Sequence, residues 1–214
     1  MRINFNPNNT FKSKVLYPIK LKVEKTPNFY QLEPANFSQL FPNDKSDRAL
    51  MHNIRDYWYT DNFVNDYSNS IAFEFFYPQQ AEQTAFYVTE LNRPQEKPII
   101  NTRSVMLTTS PQTPKKKFFD IHFLQSSSSI VLAPTRKTIG GGNLAVYGAV
   151  RQAKENGFEV VRVASQNDGF YKKLGFRKID SPLFPTSIML LKNEDFDKFL
   201  SETEKKYGIK NENK

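Results

Sequence analysis

Apolar and polar positions alternate over residues 17–23 (YPIKLKV), with Ile19, Leu21 and Val23 on one side, the period of a half-buried strand. Prolines at 27, 34 and 42 then predict loops or short turns. Over residues 46–59 (SDRALMHNIRDYWY) the apolar positions 50, 51, 54, 57 and 58 recur at helical spacing, with Asp44 or Ser46 as the N-cap. Three strand-like stretches follow, 70–77, 84–91 and 102–108, and predict an antiparallel meander. Residues 118–124 (FFDIHFL) read as a further strand, with Ile121 and Phe123 on one side and His122 and Leu124 on the other.

The pattern changes after the serine run at 126–129. Apolar residues at 145, 146, 149, 150 and 153 form a helical stripe that starts just after Gly140-Gly141-Gly142 and ends before Gly157. Residues 158–164 (FEVVRVA) suit a buried strand, and 168–174 a short helix closed by Gly175, with Phe176 against its last turn. A strand over 187–191 and an amphipathic helix over 196–206, stopped near Gly208, complete the chain. The polar leader 1–14 and polar tail 208–214 leave one domain expected over 15–207.

Composition narrows the chemistry. The 214 residues include 19 Phe and 10 Tyr, so rings carry much of a sizeable core. Without cysteine there is no disulfide, thiolate zinc site or cysteine nucleophile, and two histidines, His52 and His122, argue against a multi-histidine metal site. The net charge of +8 favours an anionic ligand. No apolar run approaches the roughly 18 residues of a membrane helix, and the start lacks a signal-peptide block, so a cytoplasmic location with no membrane partner is expected. No nucleic-acid motif accompanies the charge, and nucleic acid is not an expected partner.

All eight glycines lie at or after Gly140, and seven of them fall between Gly140 and Gly175. A strand, three glycines and then a helix leave free backbone N–H groups aimed at one spot, where the helix dipole also favours negative charge. Arg136 and Lys137, just before the glycines, add charged donors. No Lys-Ser or Lys-Thr follows the last glycine, which excludes a Walker A loop, and Ala145 breaks the Rossmann spacing.

Leu132-Ala133-Pro134, Lys137-x-x-Gly140-x-Gly142 and, after a helix and a strand, Phe170-Tyr171-Lys172-Lys173-Leu174-Gly175-Phe176 stand in one order along the chain. Together they resemble the V-x-P-x-x-[QR]-x-x-G-x-[GA] and F-Y-x-x-x-G-F segments of the GNAT superfamily, the acyl-CoA-dependent N-acyltransferases. Lys137 stands where Gln or Arg is usual; it keeps the charge without the planar fork. The resemblance implies an α+β fold: a mixed, mostly antiparallel central sheet flanked by helices, with a V-shaped splay between the family's fourth and fifth strands. Residues 118–125 are placed as the fourth strand, with 130–133 as the alternative.

The same resemblance implies acetyl-CoA as cofactor, its pyrophosphate held by Lys137, Thr138, Ile139, Gly140, Gly141, Gly142 and Asn143, with Asn167 as a further contact. It implies direct attack by a primary amine of a small molecule or peptide, with Tyr171 as the acid or thiol-hydrogen-bonding group. The general base is not given by the resemblance. Glu90, Asp120 and His122 are candidates from strands expected near the thioester. A non-catalytic GNAT-like module that binds CoA or a partner is the alternative, and self-association into a homodimer is compatible with either.

Overall fold

The computed structural model describes residues 14–58, 67–77, 83–110, 117–127, 138–179 and 187–210. Strands β1 (Lys14–Thr26) and β2 (Phe29–Leu40) form a long hairpin closed by Pro27 and Asn28. Asn28 takes the left-handed conformation (φ 64°) required at the second central position, while Pro27 presets the first. The prolines therefore do not break this region into loops, as the sequence suggests. Pro34 lies within β2, where its carbonyl accepts from the Asn92 N–H (3.0 Å) just as the β2–β3 ladder ends, so its missing donor interrupts no pairing.

Helix α1 (Lys45–Trp58) starts where Asp44 accepts from the N–H groups of Ser46 (2.8 Å) and Asp47 (3.0 Å), and it buries Leu50, Met51, Ile54 and Trp58. Residues 70–77, expected as a strand, instead belong largely to helix α2 (Ser68–Phe76). Its run is apolar almost throughout, so either period fits the sequence. The buried set Ile71, Ala72 and Phe75, with Phe73 exposed, has helical spacing.

The remaining elements are β3 (Gln83–Leu91), α3 (Pro98–Asn101), β4 (Thr102–Ser110), β5 (Phe118–Ser126), β6 (Thr138–Ile139), α4 (Gly141–Glu155), β7 (Val160–Ser165), α5 (Asp168–Lys173), β8 (Arg177–Ile179), β9 (Ser187–Lys192) and α6 (Asn193–Tyr207). The strands make one sheet in the order β6-β1-β2-β3-β4-β5-β7-β9-β8. Every described pairing is antiparallel except β5–β7, which is parallel because α4 provides the crossover.

Each face of the sheet buries its own core. On one side α1 and α2 cover Leu40, Phe86, Val88, Val105 and Leu107. On the other, α4 and α6 cover Leu21, Phe37, Tyr87 and Val161. Helix α4 sits so close to the sheet that a Cβ on Gly148 would stand 2.5 Å from the Phe37 ring. Its outer flank is closed by α6, where Glu204 accepts from the Tyr147 hydroxyl (3.0 Å). Full burial of rings such as Phe37 and Phe196 contributes about 1.5–3 kcal/mol each to this packing. No described helix is long and apolar enough to cross a membrane.

Candidate functional site

Strands β5 and β7 pair only over Phe118–Ile121 and Val160–Val163 and separate beyond. The cause lies on the other edge of β5. Leu107 pairs with Phe123 and Thr108 with Ile121, so His122 is an extra residue, a β-bulge that bends the strand away from β7. The bulge also shifts the side-chain alternation. Ile121 and Leu124 face the α4 core while Phe123 packs on the α1–α2 core, so Ile121 and Phe123 do not share a side as strict alternation predicts. The wedge holds a cavity of about 210 Å³ lined by His122 and Leu124 of β5, Val163 and Ala164 of β7, Gly142 of α4 and Tyr171 of α5.

At one end of this cleft stands the glycine entrance. Gly140 caps α4 with φ 105°, and its carbonyl accepts from the Leu144 N–H (2.8 Å). A Cβ on Gly140 would collide with the Tyr207 ring at 2.6–2.9 Å, so glycine is required there by both conformation and space. The N–H groups of Gly141, Gly142 and Asn143 have no acceptor among the described residues, as the first turn of a helix leaves them. Gly142 faces the passage directly: a Cβ there would lie 3.3 Å from the Ser126 hydroxyl and 3.5 Å from the Phe170 ring.

The other residues expected at the anion are placed less uniformly. Thr138 and Ile139 form β6 and pair with Val23 and Lys22 of β1. The Asn143 side chain donates to the Tyr207 hydroxyl (3.3 Å). Lys137, together with Leu132, Pro134, Arg136 and the alternative strand 130–133, lies outside the described residues. Beside the entrance a second cavity, of about 360 Å³, is lined by Asn143, Lys172, Lys173, Lys198 and Lys206 among others. Sequence reading did not assign these lysines; Lys172 and Lys173 were visible only as the variable positions inside the F-Y-x-x-x-G-F segment.

At the other end stands Tyr171, 7% exposed. Its hydroxyl has no hydrogen-bond partner among the described residues, and burial, reinforced by the neighbouring Tyr67 phenol, pushes its pKa up, so it stays protonated at any ordinary pH. Tyr67 also lines the cavity, its ring 5.0 Å from Phe123 and its N–H donating to the Gln125 side chain (3.4 Å). No motif marks Tyr67 in the sequence. Asn167 lines the cavity too, but its side chain is the N-cap of α5, accepting from the Phe170 N–H (3.1 Å).

The base candidates part company. His122 is exposed on the cavity rim, its ring edge-on to Phe123 at 4.7 Å. Asp120 accepts from Nε and Nη2 of Arg162 (2.5 and 2.8 Å) across the paired part of β5 and β7. Glu90, on β3 two strands from β5, accepts from the Ser38 hydroxyl of β2 (3.0 Å) and does not line this cavity. Among the described residues no cluster of His, Asp and Glu could hold a metal ion.

No protein-family model matches the sequence, and no curated protein matches it. Solved structures do match in fold. A GNAT-family acetyltransferase from Staphylococcus aureus aligns over 74% of this chain and 98% of its own, at 10% identity and a TM-score of 0.51. A protein from Bacillus halodurans aligns over 91% of this chain and all (100%) of its own, at 14% identity and TM-score 0.50. Tetrahymena GCN5 aligns over 73% of this chain and 94% of its own, at 12% identity and TM-score 0.50. The mixed, mostly antiparallel sheet with helices on both faces is the GNAT fold.

Proposed function

We propose that the chain is an N-acetyltransferase that moves an acetyl group from acetyl-CoA to a primary amine of a small molecule or peptide. One observation carries this: the wedge opened by the His122 bulge joins the free amides of α4 to the buried phenol of Tyr171. That is the order in which the diphosphate, the arm and the thioester of an acyl-CoA need them. The fit is chemical as well as spatial, because unpartnered N–H groups at a helix N-terminus suit a diphosphate, and Gly142 leaves the passage clear.

Acetyl-CoA, when bound, supplies an activated acetyl thioester. Gly141, Gly142 and Asn143 bind the diphosphate through backbone amides, with Lys172, Lys173 and Lys206 nearby for the nucleotide end. Beyond His122 the β7-facing edge of β5 pairs with no described strand, which frees its main chain to hold the amide-bearing arm. Tyr171 keeps a proton on its hydroxyl for the departing sulfur, while Phe123 and Phe170 exclude water. His122, at the rim, takes the proton of the incoming ammonium.

A second reading, a CoA- or partner-binding module without turnover, is favoured by the engagement of Asp120 with Arg162 and of Glu90 with Ser38, which leaves His122 as the one candidate base at the cleft. Free-thiol release from acetyl-CoA across a panel of small and peptide amines separates the two. Amine-dependent release that collapses in Tyr171→Phe supports the transferase. Saturable binding with no release across the panel supports the module, and absence of binding overturns both.

A further inference from the structure

Behind the glycine entrance, β4 carries an arginine that is only 3% exposed, Arg103. Its Nε donates to the Thr138 hydroxyl (2.9 Å), and its Nη1 donates to the carbonyls of Thr102 (3.2 Å) and Ile100. The Arg103 carbonyl accepts from the Ser127 N–H (2.9 Å), tying it to the far end of β5. The same carbonyl would lie 3.0 Å from a Cβ on Gly141, so the loop rests directly on this strand. Next in sequence, the Ser104 hydroxyl donates to the Gly141 carbonyl (3.2 Å) and shares a hydrogen bond with Thr89 (2.6 Å). Two consecutive residues of one central strand therefore hold the loop at Thr138 and at Gly141, on either side of Gly140.

We infer that Arg103 is a positioning residue for the donor's diphosphate, acting through Thr138 to set where the amides of Gly141, Gly142 and Asn143 point. A planar guanidinium anchored on two backbone carbonyls has one direction left for Nε, and that direction fixes Thr138; an ammonium on a flexible stem cannot reproduce the fork. Arg103 is buried and Thr138 half-buried, which limits competition from water, and a charge-assisted hydrogen bond of this kind is worth about tenfold to a hundredfold in an equilibrium. This inference rests on the proposal that the loop binds CoA.

Calorimetric titration of the full chain with CoA and, separately, with S-acetylpantetheine, which lacks the diphosphate, tests it. Thr138→Val and Arg103→Lys weaken CoA at least about tenfold and change S-acetylpantetheine less than about twofold, while Thr138→Val stays folded with its melting temperature lowered by only a few degrees. Thr138→Ser restores CoA binding, and the double variant loses no more than Arg103→Lys alone. Wild-type affinity for CoA in Thr138→Val, or equal loss of both ligands, overturns the inference while the wild type still binds CoA. Silence from the wild type overturns the CoA reading itself, and the inference with it.

Discussion

At the α4 entrance the cleft is met by main chain, at Gly142 beside the unpartnered amides of Gly141 and Asn143, whereas at α5 it is met by a side chain, the phenol of Tyr171. The first end is fixed by what a Cβ would strike; the second depends on a single hydroxyl whose ring is locked by contacts with Phe170 (4.9 Å) and Phe176 (5.5 Å). A site made of backbone is blind to truncation of the side chains that carry its amides and broken by added atoms. A site made of one side chain is the reverse. The two ends therefore separate donor affinity from the chemical step, and substitutions can pull them apart.

The largest effect is expected at Tyr171. Tyr171→Phe removes one oxygen and should lower kcat about a thousandfold while the dissociation constant for acetyl-CoA stays within about threefold, as single-turnover and binding measurements would show. Because burial and the Tyr67 phenol hold the Tyr171 proton, wild-type activity should show no alkaline loss attributable to this group below about pH 10. Gly142→Ile is the opposite experiment. It should weaken CoA about a hundredfold by filling the passage beside Ser126 and Phe170, with little change in thermal stability.

A smaller effect, remote from both ends, is expected at Asp47, 3% exposed in the first turn of α1. Burial pushes its carboxyl up to about 6, opposed by the Phe41 N–H and reinforced by the nearby charges of Asp44 and Glu90. The folded chain thus keeps this proton to higher pH than the unfolded chain. The cost of ionising it is absent below about pH 4 and complete above the folded value, so stability falls as pH rises between them. Asp47→Asn should relieve about 1–2 kcal/mol at pH 8 and little at pH 4, by denaturant unfolding, without altering CoA affinity. The smallest effect is Asn143→Ala, which keeps the amide and loses a hydrogen bond to Tyr207; CoA affinity should stay within about threefold.

The backbone-made end was the more legible in sequence, because a requirement for positive φ or close approach is written as glycine: Gly140 and Gly175 mark the start of α4 and the end of α5. The fold's mixed sheet was legible through the resemblance, through alternation in β1, through strand-like composition in β3 and β4 and through the short apolar run of β7. The hairpin partner β2 was hidden because Pro34 reads as a breaker unless the strand's edge is known. Helix α2 was hidden by a run with too few polar residues to set a period. Which way His122 points depends on a bulge created by pairing with β4, and Tyr67 reaches the cleft from a distant segment; neither fact is local to its own sequence.

The central claim is that free amides at the α4 entrance grip a diphosphate, and amide resonances of the uniformly ¹⁵N-labelled chain during CoA titration test it most directly. Saturable shifts of Gly141, Gly142 and Asn143, with Gly157 and Gly208 unmoved, are the predicted result. Saturable binding that leaves those three resonances in place would contradict it.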